Sequence, residues 1–148
     1  MAITLGLNGY RVVTGEPADD DSQYAKRDWK SKAEKLSVDS LITFVPLHAD
    51  DLPFENKYFD AVFLFGCLHH MPESIRISVI KECIRTTTDK GYISIFEPTP
   101  EALEVIRRID PQHPQAADPI QIAQGLDLNV NVTNGNFFNA FVFQKQAA

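Results

Sequence analysis

The chain has 148 residues, 44% hydrophobic and 23% charged, with a net charge of −6, which is enough for one globular domain over residues 1–148. No apolar run approaches the roughly 18 residues of a membrane span, and no basic segment followed by an apolar core opens the chain. With acids clustered at 16–21 and 50–60 and no Lys/Arg stripe, nucleic acid is a poor partner. Cys67 and Cys83 lie in apolar surroundings and read as buried thiols, in keeping with a reducing, cytoplasmic setting.

Residues 2–14 admit two readings. Ile3, Leu5 and Leu7 alternate with polar or small residues before Asn8-Gly9, as in a β-hairpin; the same stretch can be a short helix capped by Gly9, which is the preferred reading. Tyr10–Glu16 then reads as a strand closed by Pro17. Asp20 to Leu36 is predicted helical, capped by Asp20 or Ser22, with Gln23 completing a capping-box spacing and Ala25, Trp29, Ala33 and Leu36 forming an apolar stripe. Leu41–Pro46 is a second strand. Phe59–Phe65 is a third, apolar enough to be buried on both faces.

A helix over Glu73–Thr86 follows from Ile75, Val79 and Cys83 at i, i+4, i+8, with Ile80 and Ile84 beside them. Asp89-Lys90-Gly91 is predicted as a turn before a strand at Tyr92–Phe96, and Glu101–Ile109 as a short helix. Three prolines in residues 110–119 preclude a continuous helix there. Leu128, Val130 and Val132 alternate with polar residues, then come Asn134-Gly135 and an apolar run from Phe137 to Phe143, a strong hairpin signal. Alternating strands and helices ending in an antiparallel hairpin predict a doubly wound α/β sheet.

Several segments carry a more specific resemblance, in the right order. AITLGLNGYRVVTGEP at the start, LHADDLPFENKYFDAVF at 47–63, LHHMP at 68–72 and DKGYISIFEP at 89–98 resemble a class I S-adenosylmethionine-dependent methyltransferase. The subgroup is similar to those that methylate small molecules. The resemblance implies a Rossmann-like methyltransferase fold, α/β, with a mostly parallel sheet, helices on both faces and a C-terminal antiparallel hairpin. It also implies an N-terminally truncated version, since the family's first strand and glycine-rich cofactor turn would lie ahead of Ala2.

The cofactor implied is S-adenosylmethionine, and the acceptor a small molecule. By the resemblance, Glu16 would bond the ribose hydroxyls, His48 the adenine amino group where the family usually has aspartate, and the Ala49 N–H an adenine ring nitrogen. Asp50 lies beside them, and Phe65, Gly66 and Leu68 would border the methionine portion. His69 or His70 could serve as a base for the acceptor, or could cap the turn into the next helix. A metal site built from them with His48 and Asp50 is considered, and none is assigned. Glu97 and His113 could face or shape an acceptor pocket. No side chain is given a catalytic role.

Two functional classes are therefore carried forward. One is a methyltransferase of a small molecule. The other is a non-catalytic methyltransferase-like module that binds a protein partner or self-associates, a second chain completing the sheet. A nucleotide-binding oxidoreductase with a related sheet fits the reversed hairpin and LHH segment less well.

Overall fold

Six residues make a marginal helix on their own, so the N-terminal segment takes its shape from what it packs against. In the computed structural model, which describes residues 1–17 and 28–146, it is α1 (Ala2–Leu7). Gly9 at φ +83 ends it, with its N–H donating to the Gly6 carbonyl at 2.9 Å. The helical alternative holds over the hairpin because Gly6 lies flat on Val38 and Ile42, where an added Cβ would meet Val38 Cβ at 3.3 Å.

The residues cluster in two compact units, 1–49 and 50–148. In the first, β1 (Val12–Thr14) pairs in parallel with β2 (Ile42–Phe44), Val13 opposite Thr43. Both strands are shorter than the sequence suggests. Helix α2 (Trp29–Lys35) is capped by Asp28, whose carboxylate accepts the Ser31 N–H at 3.0 Å. The predicted caps Asp20 and Ser22 and the stripe residue Ala25 lie outside the described residues. Ala33, Val38 and Ile42 form the core, with Ala2, Ile3, Val12 and Trp29 packed on it. Leu36 is a correction: it sits past the last turn and is exposed.

The second unit is a four-stranded sheet in the order β3-β4-β6-β5. Strand β3 (Phe59–Phe65) and helix α3 (Glu73–Thr86) fall where the periodicity puts them. Strand β4 (Thr87–Pro98) runs parallel to β3, and β6 (Phe138–Lys145) runs antiparallel between β4 and β5 (Leu128–Thr133). Val79, Ile80 and Cys83 of α3 are buried with Ile93, Ile95 and Phe143 of the sheet. Two short helices, α4 (Pro100–Arg107) and α5 (Pro119–Ile122), complete this unit.

Three expectations change here. The turn at Asp89–Gly91 is absorbed into β4, because the pairing shifts between Phe59↔Thr87 and Ala61↔Tyr92 and takes up the extra residues in the strand. Strand β3 is not buried on both faces: Phe63 and Phe65, on one face, are exposed while Leu64, on the other, is buried. Strand β6 begins at Phe138 rather than Phe137, leaving a longer hairpin loop than Asn134-Gly135 alone.

Candidate functional site

Parallel strands place their carboxyl ends side by side, and ligands of such sheets bind beyond those ends. Phe65 lies opposite Phe96 in the β3–β4 register, so the segments leaving both strands emerge together. After β3 the chain reverses at Gly66 (φ +60), a backbone angle that favours glycine, and the Gly66 N–H donates to the Phe96 carbonyl at 2.9 Å. It then enters a 3-10 turn, Leu68–His70, which buries Leu68 and His69 and leaves His70 exposed. Arg76 of α3 pins that turn, its guanidinium donating to the carbonyls of His69 (3.2 Å) and Met71 (3.0 Å).

After β4, Thr99 caps α4 by accepting the Ala102 N–H at 3.1 Å. The proline-rich loop then folds back: Arg107 donates to the His113 carbonyl at 3.1 Å, and the Ala117 N–H donates to Glu97 Oε2 at 2.9 Å. The loop thereby lowers His113 onto the 3-10 turn.

The result is a buried relay. His69 Nδ1–H donates to Glu97 Oε2 at 2.8 Å; His69 Nε2 and His113 Nε2 are 3.2 Å apart; His113 Nδ1–H donates to Asp110 Oδ2 at 3.2 Å. Glu97, His69 and His113 are 1%, 3% and 6% exposed, whereas Asp110 reaches solvent. Glu97 Oε1 has no hydrogen-bond partner among the described residues. The His70 ring packs 4.2 Å from His69 and 4.8 Å from His113, centroid to centroid. Burial, then the charges of His69 and His113, hold the His70 imidazole below its usual range, partly offset by Glu97 and Asp110. Burial and then Glu97's charge push the neighbouring Cys67 thiol up to about 12.

The proton arithmetic of this chain is informative. Two carboxylates and two rings make three junctions, each requiring a proton or another cation, and two neutral imidazoles bring only two protons. The relay has room for one further positive charge, either a third proton or a metal ion.

The sequence pointed to part of this. His69, His70, Glu97 and His113 all drew attention, yet nothing local pairs His69 with His113, 44 positions away. A buried Glu-Pro and a histidine among prolines are the only signals for it. The positions carried over by resemblance are placed as follows. Glu16, two residues beyond β1, is half-buried, and its carbonyl accepts the Leu47 N–H at 3.2 Å. His48 is exposed, and Ala49 and Asp50 are half-buried. Phe65 is 44% exposed at the end of β3, its ring tilted against that of Phe138 with centroids 4.8 Å apart. Leu68 is fully buried, backbone and side chain alike.

Comparison with known proteins agrees with the topology. The family model described as "Methyltransferase domain" matches residues 2–95. The 27-O-demethylrifamycin SV methyltransferase of Amycolatopsis mediterranei is 29% identical over 107 residues, 70% of this chain and 38% of that protein. The chain thus spans well under half the length of that relative. A SAM-dependent methyltransferase from Methanosarcina mazei has 18% identity and a TM-score of 0.68, covering 100% of this chain and 88% of its own. An O-methyltransferase family protein from Burkholderia thailandensis has 15% identity and a TM-score of 0.70, covering 91% of this chain and 43% of its own. At such identities the structural likenesses speak to the fold, and the fold is the Rossmann-like methyltransferase one. With the family model matching well over half of its residues, the chain belongs to the class I S-adenosylmethionine-dependent methyltransferases.

Proposed function

We propose that this chain forms one methyltransferase domain that binds S-adenosylmethionine and directs its methyl group to an oxygen of a small-molecule acceptor. The observation that carries the reading is the family match over residues 2–95; the oxygen acceptor follows the activity for which the rifamycin relative is named. The chemistry of the residues suits the cofactor. Glu16 offers two acceptor oxygens to a vicinal diol, an imidazole nitrogen of His48 can accept from the adenine amino group, and the Ala49 N–H can donate to a ring nitrogen. Asp50 lies next along the same loop. Phe65 offers an exposed ring, and the half-buried Gly66 and the turn that begins at Leu68 follow it, to border the methionine portion.

When bound, the cofactor supplies an electrophilic methyl carbon on a positively charged sulfur. The residues above then have to orient it and exclude water, because in-line transfer gains most from proximity. No helix among the described residues is long and apolar enough to cross a membrane.

The test is an amide-resolved NMR titration with S-adenosylhomocysteine. Saturable shifts should concentrate at residues 16–17, 48–50 and 65–68. Shifts absent from all three segments in a folded sample would refute the site.

A second reading rests on one observation: among the described residues, β1 and β3 each have a single strand neighbour in their own sheets. Exposed strand edges recruit other chains, so a partner chain or a second copy would complete the sheet. Light scattering across a concentration series should then show a dimer, and a strict monomer at high concentration would exclude self-association.

A further inference from the structure

The geometry points to a zinc-class metal site formed by His69, His70 and His113, with Glu97 and Asp110 as the carboxylates that orient it. One ligand nitrogen from each of the three histidines lies within 4.8 Å of the others. Two nitrogens bound to one tetrahedral zinc at about 2.0–2.1 Å stand about 3.3–3.4 Å apart. His69 Nε2 and His113 Nε2 are already 3.2 Å apart. The third ligand has only to close from a nearby position, the His70 ring packing 4.2 Å from His69 and 4.8 Å from His113.

The surroundings argue for a metal more strongly than the distances do. Histidines that bind metal characteristically donate their other ring N–H to a carboxylate, which fixes the tautomer and aims the free nitrogen at the ion. Both buried rings are held this way: His69 Nδ1 on Glu97 at 2.8 Å, His113 Nδ1 on Asp110 at 3.2 Å. Each Nε2 is consequently turned toward the other. Glu97 is itself fixed by the Ala117 N–H at 2.9 Å, and its second oxygen, Oε1, is buried without a hydrogen-bond partner. A carboxylate buried at the edge of a histidine cluster, with charge to spare, is stabilised by a divalent cation a few ångströms away.

Three imidazoles select the metal. Nitrogen donors of intermediate softness suit zinc and its first-row neighbours, whereas magnesium and calcium require oxygen ligands. Three protein ligands leave a fourth tetrahedral position, which takes water or another oxygen donor. The site lies just past the carboxyl ends of β3 and β4, where such sheets bind ligands. Zinc binding itself is independent of the methyltransferase reading.

The test is calorimetric titration of zinc chloride into the untagged, chelator-treated chain, followed by X-ray absorption at the zinc edge. One zinc per chain should bind more tightly than about 1 µM, and a large excess of magnesium should not displace it. The absorption spectrum should show nitrogen or oxygen scatterers at about 2.0–2.1 Å with the outer-shell signature of imidazole rings. Glu97→Gln, which keeps an acceptor oxygen, should weaken zinc by about 10–100-fold, as loss of an orienting carboxylate does. His70→Ala, at an exposed position, should weaken it at least as much. Far-UV circular dichroism identifies any variant that fails to fold. The proposal is overturned if the folded chain binds zinc no more tightly than about 100 µM. It is equally overturned if His70→Ala and Glu97→Gln bind zinc like the parent, or if imidazole scattering is missing.

Discussion

Replacing Glu97 separates the two things its carboxylate does. Its Oε2 accepts from His69 Nδ1 and from the Ala117 N–H, at 2.8 and 2.9 Å, in a site where the residue is 1% exposed. Glu97→Ala leaves both donors buried and unpaired. At about 1–3 kcal/mol for each stranded group, the loss is about 2–6 kcal/mol before any cavity is counted. Against a stability of about 5–15 kcal/mol this is severe. Glu97→Gln keeps an oxygen for both donors. Its amide nitrogen replaces Oε1, which has no hydrogen-bond partner to lose, so the change is a charge-assisted bond made neutral, about 1 kcal/mol. Urea denaturation of metal-free protein, followed by far-UV circular dichroism, measures both. With a slope of about 1–3 kcal/mol per molar urea, the alanine variant should lose one to several molar in midpoint and the glutamine variant well under half of that. Equal losses in the two variants would refute the argument, as would an alanine variant within about 0.5 kcal/mol of the parent.

Further outcomes follow from other contacts. Burial pushes the Cys67 and Cys83 thiols each up to about 12. At pH 8 a disulfide reagent should therefore react with the native thiols about 1,000-fold more slowly than with an ordinary thiol. Cys67, the less buried of the two, should react first; prompt reaction of Cys83 in the native chain would contradict its burial. Because these values are raised, the stability they contribute is complete below about pH 9 and is lost as pH rises toward 12, which a denaturation series over that range detects. Arg85 donates to the carbonyls of Leu52 and Phe54 and to both oxygens of Glu82. Arg85→Lys cannot reproduce that fork, so amide exchange at residues 52–57 should accelerate as much as in Arg85→Ala; rescue by lysine would count against the geometry. Arg85 also holds the Glu82 carboxyl below its usual 4.5, so this contribution is present above that pH and lost as pH falls below it. Gly91→Ala would put a Cβ 2.5 Å from the Asp60 carbonyl oxygen, costing about 1–3 kcal/mol by overpacking, read as a lowered urea midpoint.

What the sequence disclosed follows the range of the forces involved. Phe59–Phe65 and Glu73–Thr86 could be bounded from residue type because a strand or helix stripe repeats within a few positions. Asn134-Gly135 and Gly9 mark their turns by backbone chemistry alone. Asp89-Lys90-Gly91 has the same local character, yet the pairing of β4 with β3 draws it into the strand. Leu36 satisfies the helix stripe and is exposed, because the helix ends one residue before it. The relay was the least legible part. His69 sits in a turn after β3, Glu97 near the end of β4 and His113 in a loop after α4, so the register between two strands brings the first two together and the folded-back loop adds the third. The family resemblance led to the strand ends and not to this cluster, since it concerned the cofactor rather than the histidines.

The membership of this chain in its family carries a claim about binding, and calorimetric titration of S-adenosylhomocysteine addresses it most directly. The account predicts saturable binding at one site per chain, weakened about 10-fold or more by Glu16→Ala, a loss of about 1.4 kcal/mol or more. A folded chain that takes up no ligand, or one whose affinity is indifferent to Glu16, would contradict it.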